Sequence, residues 1–159
     1  TITQGEIDVV GVRLSDKTVY LCEVAAHING LGYSKNGKPD DYERFEKKFQ
    51  RSLQYAKDKL ADFNNINLMI WSPIVKISGE KANYCVYKKL QRLKKDIYKE
   101  TNISIDLVIN EHFESKLNEL RLIASKQTTN FSSRTMRYFQ IEEYLKKHLI
   151  SYRKKGKIE

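Results

Sequence analysis

The sequence contains little cysteine and no long apolar run. Its two cysteines, Cys22 and Cys85, form neither a disulfide framework nor a CxxC metal-binding pair, so we expect both to be small core residues. No apolar run approaches the roughly 20 residues that cross a bilayer, and no signal peptide is visible. These absences favour a cytoplasmic protein without membrane association.

Several catalytic motifs are also missing. The three histidines, His27, His112 and His148, show no HxH or HExxH spacing, which argues against a zinc enzyme. There is no GxxxxGK loop, no GxGxxG turn after a strand and no GxSxG elbow. Nucleoside triphosphatase, dinucleotide-dependent and α/β-hydrolase chemistry are therefore disfavoured.

Positive charge is abundant and concentrated in two segments. The chain carries a formal net charge of +9. From Lys76 to Lys99, eight Lys or Arg residues face two acids, and from Arg134 to Lys157 eight again face two, so each segment contributes +6. Clustered positive charge is the electrostatic footprint of a protein that binds a nucleic-acid backbone. A solvated lysine-rich helix face is the alternative explanation for either segment taken alone.

Two acids interrupt what reads as one apolar β-hairpin. Residues 6–14 and 18–27 are rich in Val, Ile and Tyr, and residues 15–17 form a short polar turn between them, which predicts two antiparallel strands. Asp8 lies in the first strand and Glu23 in the second. A carboxylate among apolar neighbours is costly unless it is paired or bound to a cation. If both acids lie on one sheet face, they can hold Mg²⁺, with Mn²⁺ as a substitute.

The hairpin resembles the PD-(D/E)XK nuclease superfamily. The resemblance rests on Gly5-Glu6-Ile7-Asp8, a turn, and Val19-Tyr20-Leu21-Cys22-Glu23-Val24, and it covers about the first quarter of the chain. It implies a restriction-endonuclease-like α/β fold, a mixed β-sheet flanked by α-helices. It also implies that Asp8 and Glu23 are metal ligands for phosphodiester hydrolysis.

The position of the superfamily's lysine is occupied by Ala25. Alanine can neither orient a water molecule nor stabilise a developing negative charge. Three explanations stay open: the lysine was removed to inactivate an enzyme, its role has moved to another element, or the domain binds nucleic acid without cutting. In some branches a basic or amide side chain from the following helix replaces the lysine, which makes Lys48, Gln50 and Lys57 candidates.

His27 is a further candidate catalytic residue. It shares a strand face with Glu23 and Ala25, so it can position the attacking water or contact the scissile phosphate. A histidine at a strand end can equally satisfy a local hydrogen bond.

The rest of the chain predicts alternating helices and strands. Apolar residues recur at helical spacing from about 42 to 63, and further strands are expected at 67–71 and 103–109. We interpret residues 1–150 as one domain and residues 151–159 as a basic, flexible tail. The superfamily that the hairpin resembles usually has a helix and a strand before this point, so a chain that starts at Thr1 is a fragment, lacks those elements or obtains them from another chain.

The sequence therefore favours a magnesium-dependent DNA endonuclease of restriction, repair or junction-resolving type. A homodimer is plausible by analogy, because paired cuts in a duplex need two active sites. The alternative is a nuclease-like module that binds DNA, or assembles with other proteins, without cleavage.

Overall fold

The computed structural model describes residues 6–32, 34–35, 38–39, 41–77 and 85–154. These ranges contain six β-strands and four α-helices. The strands are β1 (Val9–Arg13), β2 (Thr18–Val24), β3 (Ser34–Lys35), β4 (Lys38–Pro39), β5 (Asn65–Ser72) and β6 (Ile105–Ile109). The helices are α1 (Asp41–Lys59), α2 (Val86–Thr101), α3 (Asn110–Lys126) and α4 (Arg134–Lys154).

The chain divides into two compact units, Thr1–Phe113 and Glu114–Glu159. The first contains the sheet with α1 and α2. The interpretation of residues 1–150 as one domain stays a prediction. Helix α4 extends to Lys154, so the first four residues of the predicted tail are helical, and the remaining five lie outside the described residues.

A mixed four-stranded sheet organises the first unit, in the order β1-β2-β5-β6. Strands β1 and β2 are antiparallel, whereas β2–β5 and β5–β6 are parallel. Parallel neighbours require a crossover connection, and helices α1 and α2 lie in the two connections. The predicted α/β architecture, with parallel strands added to an opening hairpin, is confirmed at this level.

Both hairpin strands are shorter than the sequence predicts. Strand β1 begins at Val9 instead of Glu6, and β2 ends at Val24 instead of His27. The backbone N–H of Val24 donates to the Asp8 side chain, and that of Ala25 donates to the carbonyl of Trp71. Asp8 therefore contacts β2 through its side chain, whereas the Ala25 N–H faces β5 and continues the pairing between β2 and β5 by one residue.

One face of the sheet packs against α1 and α2. The buried cluster combines Leu21, Leu68 and Ile70 of the sheet with Phe49 of α1 and Leu93 of α2. Acids in the first turn of α1 and lysines in its last turn complement the helix dipole. Both cysteines are buried and unpaired, as expected for core residues.

The second unit contains most of α3 and all of α4. Gln140 of α4 is buried, and its side-chain amide donates to the carbonyls of Gln127 and Thr129, at 2.7 and 3.0 Å. Arg121 of α3 lies 3.5 Å from the carboxylate of Glu142. These contacts fix the loop between the helices against α4. In the described part of the chain, no helix is long and apolar enough to span a membrane.

Asn110 ties the end of β6 to the segment that follows β5. Its side chain accepts a hydrogen bond from the N–H of Val75 at 2.8 Å and donates to the carbonyl of Val75 at 3.0 Å. Val75 in turn forms a parallel bridge with Leu31, which ends the loop that carries His27. Asn110 has φ 49°, a left-handed conformation that asparagine tolerates better than most residues.

Replacement of Asn110 separates the two roles of this residue. Asn110→Gly loses the hydrogen bonds but tolerates the positive φ, so we expect the free energy of unfolding to fall by about 1–3 kcal/mol. In Asn110→Ala the left-handed backbone conformation is strained as well, so the free energy of unfolding should fall by roughly another 1 kcal/mol. Urea denaturation measures both values. The control is Asn102→Gly, at an exposed residue with φ 59°, which should leave the free energy of unfolding nearly unchanged. If Asn110→Ala and Asn110→Gly lower the free energy of unfolding equally, the backbone contribution is contradicted.

Candidate active site

Asp8 and Glu23 lie opposite each other at the open end of the hairpin. Val9 pairs with Cys22, so the same register continued by one residue places Asp8 opposite Glu23. The N–H of Val24 donates to Asp8 Oδ2 at 2.7 Å. This hydrogen bond fixes the Asp8 carboxylate beside β2.

Lys48 of α1 contacts both acids. Its ammonium group donates to Glu23 Oε2 and lies 3.8 Å from Asp8 Oδ2. A single cation within reach of both carboxylates means that the two acids share one face of the sheet. Lys48 reaches them because α1 buries Phe45 and Phe49 against this face, which leaves Lys48 at the margin of the buried stripe.

Glu23 is the most constrained of the three side chains. Its side chain is 1 % exposed, and its Oε1 atom is buried with no hydrogen-bond partner among the residues that the structure describes. Burial raises the pKa of the Glu23 carboxyl, and the nearby Lys48 ammonium opposes that rise only in part. A buried carboxylate oxygen without a partner is costly unless a further donor or cation completes its shell.

A cavity of about 370 Å³ opens above these residues. Its wall is formed by acids, bases and the end of β2: Glu6, Asp8, Val24, Ala25, Ala26, His27, Arg44, Lys48 and Arg51. The opening thus combines two carboxylates, Glu6 and Asp8, with three cationic side chains, and Glu23 lies buried behind it. An anionic ligand such as a phosphate can enter beside the carboxylates, because the basic side chains offset their repulsion.

Ala25 and His27 both border this cavity. Ala25 is buried, and its carbonyl accepts a hydrogen bond from Ser72 Oγ at 2.8 Å. Its small side chain leaves room above the strand, and the cation in that region comes from α1. His27 is exposed on the cavity wall, where its imidazole is accessible to a ligand.

The other proposed replacements for the lysine fall elsewhere. Gln50 and Lys57 are exposed on α1 and do not border the cavity. Arg44 and Arg51 do border it, although neither is among the residues predicted from the sequence. The sequence contains an indication of them: Arg44, Lys48 and Arg51 are four and three residues apart, which places them on one face of a helix.

Asp8 and Glu23 fit a hard divalent cation that takes only two ligands from the protein. Mg²⁺ is commonly held by one or two protein carboxylates, with water and substrate phosphate oxygens in its other positions. Asp8 and Glu23 provide this number, and Glu23 Oε1 is a buried oxygen without a hydrogen-bond partner among the described residues. Among the described residues there is no group of three or more His, Cys, Asp or Glu side chains suited to hold a metal. The fit therefore depends on ligands that the substrate and solvent bring.

No family model, curated protein or solved structure matches this chain. The geometry of this site and the hairpin sequence are therefore the observations that bear on function.

The raised pKa of Glu23 predicts a specific dependence of stability on pH. A carboxyl whose pKa rises above its ordinary 4.5 on folding contributes stability that is present below that value and is lost as pH increases through the folded pKa. Glu23→Gln removes this dependence. In metal-free buffer, the unmodified protein should therefore lose stability relative to Glu23→Gln between about pH 4.5 and pH 7. The measured quantity is the difference between their free energies of unfolding, variant minus unmodified protein, which should increase over this range.

Asp16→Asn is the matched control for this measurement. Arg13 lowers the pKa of Asp16 to about 2, so the stability from that carboxyl is lost only as pH falls below its ordinary 3.8. The corresponding difference for Asp16→Asn should stay flat over the same range. A flat difference for Glu23→Gln as well would contradict the burial of an ionisable group at this position.

Proposed function

We propose that this chain is a metal-dependent DNA endonuclease of the restriction-endonuclease-like type. The observation that carries the proposal is the Glu23 carboxylate opposite Asp8: its Oε2 contacts Lys48, and its buried Oε1 has no hydrogen-bond partner among the described residues. The hairpin sequence, which resembles that of PD-(D/E)XK nucleases, supports the same conclusion. The mixed α/β sheet is compatible with that fold.

Asp8 and Glu23 would hold the cation. A bound Mg²⁺ or Mn²⁺ would lower the pKa of a water molecule and neutralise charge on the phosphate. The hydrogen bond from the Val24 N–H holds Asp8 Oδ2 in place. Glu23 presents its free Oε1 while Oε2 accepts from Lys48.

Lys48 takes the role that the superfamily gives to a lysine at position 25. Its ammonium group stands beside both acids and can donate to the water molecule or to a phosphate oxygen. Such a donor stabilises negative charge that develops during hydrolysis. His27, on the same cavity wall, can hydrogen-bond the attacking water or the phosphate.

The positively charged helices would hold the DNA backbone. Helix α2 carries six basic residues, Lys88, Lys89, Arg92, Lys94, Lys95 and Lys99, against two acids, Asp96 and Glu100. Charge of this density attracts phosphate groups in a salt-dependent manner. A homodimer and a cytoplasmic location, both expected from the sequence, belong to this proposal.

A second candidate function is DNA binding without cleavage. Ala25 favours it, because the lysine is missing from its usual position and Lys48 is engaged with the acids that would hold metal. The basic residues would serve either function equally well.

A plasmid-nicking assay in Mg²⁺ or Mn²⁺ distinguishes the two candidates. We expect nicking by the unmodified protein and its loss in Asp8→Asn and Glu23→Gln. Lys48→Ala should lower the rate about 100-fold or more, as expected when a charge-stabilising donor is removed. Lys47→Ala, at the exposed neighbouring lysine, is the matched control and should stay within about threefold.

One outcome would contradict the endonuclease, and another would contradict the assignment of Asp8 and Glu23 as its metal ligands. Salt-sensitive DNA binding without nicking would favour the non-cleaving module. Nicking that survives Glu23→Gln would mean that these acids are not the metal ligands.

A further inference from the structure

A second cavity of about 490 Å³ adjoins the candidate active site. Glu6 and Arg51 border both cavities, so the two openings are neighbours along α1. The second cavity has a different character from the first. Ile7 and Val10 provide an apolar surface, and Tyr55 provides an exposed aromatic ring.

Helix α1 connects the two cavities with one line of side chains. Arg44, Lys48 and Arg51 border the first cavity, and Arg51 and Tyr55 border the second. The spacings of four, three and four residues place these side chains within about 60° of one another around the helix. The line extends about 16 Å along the helix axis at 1.5 Å per residue, enough for more than one nucleotide.

The chemistry of the line changes along its length. Three cationic side chains near Asp8 and Glu23 favour phosphate groups. Beyond Arg51 the cavity offers the Tyr55 ring, apolar contacts and the carboxylates of Glu6 and Asp58. Carboxylates repel phosphate but accept hydrogen bonds from the amino groups of cytosine and adenine. The second cavity therefore suits a nucleobase.

We infer that the cavity beside Tyr55 binds an unpaired base of the substrate strand, close to the phosphate that lies at Lys48. This inference rests on the proposed function and names its substrate class. The base stacks on the Tyr55 ring, while Arg44 and Arg51 contact the adjoining phosphates. A base in this cavity has left the duplex stack, so the preferred DNA has single-stranded character beside the cleavage site.

The test measures binding in the absence of cleavage. Fluorescence anisotropy of the full chain carrying Glu23→Gln, in EDTA and at one salt concentration, compares a single-stranded oligonucleotide with its duplex. We expect tighter binding to the single strand. Adding Tyr55→Ala should weaken single-strand binding by about 5- to 150-fold, the loss that one base–aromatic stack predicts.

Matched variants isolate the ring. Tyr55→Phe keeps the stacking surface and should bind the single strand as tightly as the parent protein, the full chain carrying only Glu23→Gln. Leu14→Ala removes an exposed apolar side chain beside the hairpin turn, outside both cavities, and should change affinity less than about twofold. An oligonucleotide scanned with single abasic sites should lose its dependence on Tyr55 at one position, where the stacked base is missing.

The outcomes separate this inference from the proposed function. Equal affinity of Tyr55→Ala and its parent for the single strand, or tighter binding of the duplex, would overturn the base site even if the unmodified protein nicks plasmids. If Tyr55→Ala loses single-strand affinity but the unmodified protein does not nick plasmids, the base site is supported and the proposed endonuclease activity is contradicted. Tyr55 is exposed, so an unchanged melting temperature checks that the variant folds.

Discussion

The contact between Lys48 and Glu23 is the interaction on which the rest of the site depends. A carboxylate that is nearly inaccessible to water must be neutralised or paired, and the nearby cation comes from α1. Helix α1 therefore has to pack with Phe45 and Phe49 against the sheet while Lys48 remains at its margin. The same packing aligns Arg44 and Arg51 along the cavity. Core packing and candidate chemistry are thus set by one helix orientation.

The arrangement of charges explains how two acids coexist at the end of a hairpin. Asp8 accepts a backbone hydrogen bond and lies near Lys48, whereas Glu23 has one paired and one unpaired oxygen. The unpaired oxygen is a local cost, and the ion pair between Lys48 and Glu23 Oε2 does not remove it. Functional sites often retain such costs, because the missing partner is the ligand.

Local sequence patterns were sufficient to predict the hairpin and the α/β alternation, but they left open whether Asp8 and Glu23 share a face. Alternation of side chains along a strand is a local property, and so is the apolar period of α1. The choice of Lys48 over Gln50 and Lys57 was not local, because it depends on how α1 is rotated against the sheet. The second cavity was invisible for the same reason: Ile7 and Tyr55 are far apart in the chain.

Thermal unfolding with and without millimolar Mg²⁺ or Mn²⁺ tests most directly whether Asp8 and Glu23 form a cation site. A cation at 100 times its Kd adds about 2.7 kcal/mol to the stability of the folded state, a rise of several degrees in Tm for a chain of this size. We predict this rise for the unmodified protein and for Asp16→Asn, and its absence in Glu23→Gln. An unchanged Tm in the unmodified protein, or an equal rise in Glu23→Gln, would contradict the account.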